Sequence, residues 1–178
     1  MASLKRTPLT IGVKDLMHSP GEMREHTLDV LAPEKYGEAV AVVPEGTPMT
    51  IEVRLEGLHE GILVTCEVAT DAHAECVRCL DEFSLPVRVD FQELFTYSSS
   101  EADSYTVVDD SVMLESIIRD AVVLDLPFQP VCKPDCYGLD PTTGEKLTSE
   151  SAKTRGQDID PRWLELGKLL ESDGQQAP

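Results

Sequence analysis

Basic side chains are scarce in this chain. Lys and Arg number 15 against 33 Asp and Glu, which leaves a formal net charge of −18 over 178 residues. Nonspecific nucleic-acid binders draw most of their affinity from cations that neutralise phosphates, so the charge argues against that class, although it does not exclude a local basic patch. The same field keeps the chain soluble and favours Lys- and Arg-rich partners. Aromatics are also few, at 5%, with one tryptophan, Trp163, near the C-terminus. The 41% hydrophobic content therefore implies a core of Val, Leu and Ile. Long apolar runs are missing: Ala39–Val43 and Ala121–Leu124 fall far short of the roughly 20 residues that span a bilayer. Two basic residues near Met1 are followed by no apolar stretch, so a secretory signal is not expected. The expectation is a soluble, cytoplasmic protein with neither membrane nor DNA among its partners.

Catalytic signatures are absent too. No G-x-S-x-G, Walker loop, G-x-G-x-x-G or H-E-x-x-H occurs. His18, His26 and His59 fall in expected loops beside no nucleophile or carboxylate dyad. The acidic runs Asp81-Glu82 and Asp109-Asp110 read as solvated loops or caps. A nuclease, which gathers carboxylates around two metal ions or uses His pairs, is not suggested by any spacing. An enzyme is not expected.

What is present is strand periodicity. Leu9–Val13 alternates as a short strand, and another is expected at Thr27–Leu31. Ile51, Val53 and Leu55 alternate with Glu52 and Arg54, and after Gly57–Gly61 the residues Ile62, Val64, Cys66 and Val68 share one face, which predicts a hairpin. A further strand runs from Leu85 to about Tyr97. Such runs predict an antiparallel sheet with one wet face. Leu114, Ile117, Ile118 and Ala121 predict a helix over Ser111–Leu126, capped by Asp109 or Asp110 and stopped at Pro127. The fold class is α+β: a twisted antiparallel sheet, open or closed into a barrel, covered by that helix. Residues 1–139 form one domain on this reading and 140–160 a polar linker. A short helix follows within 161–178, opened by Asp160-Pro161 and carrying Trp163, Leu166 and Leu170.

Five cysteines in a reducing compartment do not read as a disulfide framework. Cys76-Val77-Arg78-Cys79 is a C-x2-C pair and Cys132-Lys133-Pro134-Asp135-Cys136 a C-x3-C pair. Two such pairs supply the four tetrahedral sulfur ligands of a structural zinc site. Their wide separation in the chain leaves open the alternative of reduced cysteines packed side by side. A redox pair needs a helix after the first cysteine, whereas the flanks of Cys76 read as strand–turn–strand. Cys66 belongs to the core face, and His73 is an exposed histidine close enough to Cys76 to substitute for a ligand.

At Cys76-Val77-Arg78-Cys79-Leu80 the chain resembles the YceD family of large ribosomal RNA subunit accumulation proteins. The resemblance continues through Phe83–Phe95 and Ile117-Ile118-Arg119-Asp120. It is most specific at Leu126-Pro127-Phe128-Gln129-Pro130-Val131-Cys132 with Asp135-Cys136-Tyr137-Gly138-Leu139, and returns at Asp160-Pro161-Arg162-Trp163. Many members follow the Asp-Cys-x-Gly-Leu segment with another C-x2-C pair; here Asp140-Pro141-Thr142-Thr143-Gly144 stands instead, which leaves Cys76, Cys79, Cys132 and Cys136 as the natural set of four.

The resemblance implies a role in accumulation of large-subunit ribosomal RNA and supplies no catalytic residue. With the charge of −18 it leads to the expectation of a non-catalytic accessory factor in large-subunit biogenesis, binding a basic ribosomal protein or precursor particle. The alternative is direct contact with ribosomal RNA through Arg78, Arg88 and Lys133, with Lys146, Lys153 and Arg155 as a basic arm.

Overall fold

The computed structural model describes residues 7–17, 19–98 and 105–151. The expected helix at Asp160, with Trp163, Leu166 and Leu170, lies outside them, as do His18, Lys153 and Arg155. The chain divides into two compact units. The larger runs up to Cys76 and from Asp81 to Cys132, and the smaller takes Val77–Leu80 and the chain from Lys133 onward.

In the smaller unit residues 149–151 are helical, while the described residues of the larger hold seven strands and a helix. In chain order these are β1 (Thr10–Gly12), β2 (Met23–Leu31), β3 (Ala41–Val42), β4 (Pro48–Gly57), β5 (Gly61–Glu75), β6 (Glu82–Thr96), β7 (Ser111–Met113) and α1 (Glu115–Asp125). β5 is the spine of the main sheet. β6 pairs with it from Gly61↔Thr96 to Glu75↔Glu82. Its other edge takes β4 and then β3, while β2 lies beyond β4. All pairings between these strands are antiparallel, and β2 and β6 stay separate edges, so the sheet is open and not closed into a barrel.

The period-two pattern explains the core. Met49, Ile51, Val53 and Leu55 stand beside Ile62, Val64, Cys66 and Val68, and all are buried. Each large apolar side chain removed from water stabilises the fold by about 1.5–3 kcal/mol, and a one-residue slip would turn the whole set outward. Gly61 is required at the hairpin corner, because an added Cβ would lie 2.9 Å from Thr96 Cα. Ile117, Ile118 and Val122 of α1 join the same core.

Two expectations need correction. Residues 111–113 are not helical, and neither Asp109 nor Asp110 caps a helix. Val108 and Ser111 exchange backbone hydrogen bonds of 3.0 Å, with Asp109 (φ 50) and Asp110 (φ 55) both left-handed between them. Left-handed φ at both central positions marks a tight hairpin turn, and Asp tolerates it better than most residues. Ser111–Met113 then pairs with β1 through Ile11↔Val112. The helix starts only after Leu114, which has no side-chain cap but whose N–H reaches Leu9 O at 3.0 Å. The second correction is that His26 lies within β2, not in a loop, because β2 begins at Met23 and pairs with β4 along its whole length.

Candidate metal centre

Cys76 and Cys79 occupy the connection between β5 and β6, and the expected strand–turn–strand context is what forms. Cys76 N–H donates to Asp81 O at 2.8 Å, which closes the turn. Leu80 takes a left-handed φ of 59 to bring the chain back into β6. No helix follows Cys76, so the arrangement that lowers a thioredoxin-type thiol pKa is not built here.

In the smaller unit, Cys136 N–H donates to Lys133 O at 3.1 Å, forming a reverse turn. Arg78 braces this turn, with Nη1 donating to Cys136 O at 2.9 Å and to Pro134 O at 3.4 Å. Leu139 N–H returns a bond to Arg78 O at 3.1 Å. Gly138 is needed in this tight place: it has φ +82, and an added Cβ would sit 3.0 Å from Arg78 O. Beyond it, Leu147 N–H bonds Gly138 O at 2.9 Å. Asp140 Oδ1 accepts from Thr142 N–H at 2.7 Å and Thr143 N–H at 2.9 Å. Asp140 thus stabilises the turn through residues 140–144 by side-chain hydrogen bonds.

One ligand atom from each of Cys76, Cys79, Cys132 and Cys136 lies within 4.8 Å of the other three. Zinc–sulfur bonds of about 2.3 Å arranged tetrahedrally put the sulfurs about 3.8 Å apart, so shifts of about 1 Å would bring the set onto an ion. Cys76, Cys79 and Cys136 are buried and Cys132 is half-buried. Four sulfur donors suit a soft or borderline ion, and four protein ligands leave no open position for substrate. The cluster could hold a metal ion in a structural role.

The fifth cysteine, Cys66, lies on the inner sheet face as expected, and burial pushes its thiol up to about 12. His73 is exposed on β5 and is not part of the cluster. Of the residues considered for RNA contact, Arg78 is exposed but bonded to the carbonyls named above, and Lys133 is exposed at the start of the second cysteine turn. Arg88 is on the outer sheet face, 3.6 Å from Glu67. The bracing role of Arg78 was missed by sequence reasoning, because no local pattern links it to carbonyls so distant in the chain.

Fold and cluster together define a sheet-based, strongly acidic α+β protein with a four-cysteine centre. The chain belongs to the YceD family: the model described as "Large ribosomal RNA subunit accumulation protein YceD" matches residues 64–170, which include all four cysteines. Among similar proteins, the uncharacterized Rv2926c of Mycobacterium tuberculosis is 40% identical over 176 residues, covering 94% of this chain and 84% of the relative. The uncharacterized ML1660 of Mycobacterium leprae is 32% identical, covering 96% and 82%. The uncharacterized YlbN of Bacillus subtilis is 23% identical over 132 residues, covering 71% and 77%. No solved structure matches the chain.

Proposed function

We propose that this protein is a non-catalytic, cytoplasmic accessory factor in large ribosomal subunit biogenesis. It supports accumulation or processing of large-subunit ribosomal RNA by binding a basic ribosomal protein or precursor particle. Membership of a family named for that RNA supports the ribosomal role. The observation that carries the binding mode is the outer face of the main sheet. Glu25, Asp29, Glu52, Glu67, Asp71 and Asp90 share it with Arg54 and Arg88. Glu52, Glu67 and Asp90 stand directly opposite one another across β4, β5 and β6. Like charges directly opposite one another destabilise a sheet, so this row is no stabilising device. It suits the reception of Lys and Arg side chains. Zinc is the ion assigned to Cys76, Cys79, Cys132 and Cys136, where it shapes the turns around Arg78 and supplies no chemistry.

The test is a tagged pull-down from lysate, with and without ribonuclease, using wild type and a triple variant Glu52→Gln, Glu67→Gln, Asp90→Asn. The variant should fold at least as stably as wild type yet retain less of any basic large-subunit protein. Wild-type binding should weaken steeply with salt. Loss of every ribosomal component on ribonuclease treatment would instead favour direct RNA contact through Arg78, Arg88 and Lys133.

A further inference from the structure

A second surface of the larger unit, away from the carboxylate row, has the form of a receptor. Between the 35–41 segment and the end of α1 lies an open groove of about 520 Å³, lined by Lys35, Glu38, Val40, Val123, Leu126 and Phe128 among others. Its wall is apolar and exposed: Phe128 is 96% accessible and Val123 39%, with Leu124 beside them at 84%. Large apolar groups this exposed at the edge of a concavity mark an interaction site more often than a free surface. The groove is also constructed with some strain. Gly37 (φ +78) closes so tightly against Leu126 and Ala41 that an added Cβ would lie 2.8 Å from Ala41 O. Ala39 takes a left-handed φ of 59, unusual for a residue with a side chain.

The charge around the groove identifies its occupant. It opens at the C-terminal end of α1, where the helix dipole places partial negative charge. The last turn of α1 carries no basic residue to offset that charge and ends on Asp125; Glu38 and Lys35 both line the groove, so Asp125 and the helix end tip the balance of its mouth to negative. Arg119, the one cation in α1, is held by Glu34 at 3.4 Å and Asp120 at 3.1 Å. An apolar cleft with a negative mouth fits an apolar side chain flanked by Lys or Arg.

We propose that this groove anchors a leucine-like side chain of a basic polypeptide partner against Val123, Leu126 and Phe128, with the partner's flanking cations at Asp125, Glu38 and the end of α1. This rests on the basic-partner reading above and adds to it a site of contact and a sequence preference: a basic segment with an embedded apolar residue over one that is purely basic.

The test uses the full chain and two synthetic Lys/Gly peptides of equal charge, one with a central Leu and one with Ala there. The Leu peptide should bind wild type about tenfold tighter or more, the gain expected for burying one such side chain. Phe128→Glu, which alters a side chain already in solvent, should abolish the preference for the Leu peptide over the Ala peptide, while its added carboxylate holds or raises the affinity of the equally charged Ala peptide. Equal binding of both peptides to wild type would overturn the groove while leaving the basic-partner reading intact. No binding of either at low salt would sink both. Two further results would overturn the proposal by showing another occupant. One is a change in sedimentation between wild type and Phe128→Glu, meaning that a second copy fills the groove. The other is a shift in Trp163 emission in that variant, meaning that the chain's own C-terminal segment does.

Discussion

Removing metal from the reduced protein should unfold the smaller unit and spare the sheet. The reasoning starts from what each part buries. Among the described residues of the smaller unit only Cys79, Cys136 and Gly138 are buried. Apolar burial therefore contributes little there, and the turns around Arg78 rest on hydrogen bonds that exchange readily with water. The larger unit buries Ile51, Val53, Leu55, Ile62, Val64 and many more. A four-cysteine ion whose sulfurs need move only about 1 Å should bind with the apparent 10–16 kcal/mol of structural zinc sites. That energy suffices to fold a segment with so small a core. The assay is hydrogen exchange under reducing conditions with and without a chelator, with released metal titrated in parallel. Chelation should speed exchange at Leu139, Asp140 and Leu147 by roughly a hundredfold or more, equivalent to ~2.7 kcal/mol of lost protection. Amides of Ile51, Val53, Val64 and Cys66 should hardly change. Cys132→Ser should mimic the chelator, whereas Cys66→Ala should leave metal content intact. The reasoning fails if freshly purified, reduced protein carries less than about half an equivalent of metal. It fails equally if Leu139 and Leu147 exchange at the same rate with and without chelator.

Tyr36 provides a pH prediction. Its side chain is buried, and among the described residues its hydroxyl has no hydrogen-bond partner. Burial, reinforced by Glu115 and Glu34 and opposed by Arg119, pushes the phenol up to about 12. With the folded value above the unfolded one, this contribution is fully present below about pH 10 and is lost as pH rises toward about 12, by at most about 2.7 kcal/mol. Denaturant unfolding of wild type and Tyr36→Phe across pH 7–12 should show a flatter alkaline decline in the variant, with stability at pH 7 unchanged or up to about 1 kcal/mol higher. Leu80→Gly should relieve the left-handed backbone at that position and raise thermal stability by up to about 1 kcal/mol; a clear loss would mean that the exposed Leu80 side chain makes a contact that matters. Ile51→Ala, at the centre of the inner sheet face, should cost about 2–5 kcal/mol in the same unfolding assay.

Much of the sheet was legible because a half-buried antiparallel strand writes its two faces directly into the sequence. Ile62, Val64, Cys66 and Val68 could hardly be read otherwise. The pattern failed where chemistry competed with it. Asp109 and Asp110 look like helix caps, but Asp also tolerates left-handed turns, and a tertiary partner, β1, decided the outcome. His26 was placed in a loop because Met23 to His26 carries charge and no apolar alternation; its pairing with β4 is a long-range fact. The four cysteines were legible as two pairs from spacing alone. That the pairs come together is a property of the fold, and neither the brace from Arg78 nor the groove beside Phe128 has any local signature.

The long ladder between β5 and β6 bears on how the chain folds as well as on how it holds together. Its closed end is the short stretch from Cys76 to Asp81, so the first pairs to meet, Glu75 with Glu82 and Ala74 with Phe83, are close neighbours in the chain. Closing so small a loop costs little entropy, whereas joining β2 to β4 must first bring together the ends of the longer Ala32–Thr47 connection. The β5–β6 hairpin and the β4–β5 hairpin, joined only by residues 58–60, are therefore the natural places for structure to begin, and β2 adds last to the edge that β4 presents.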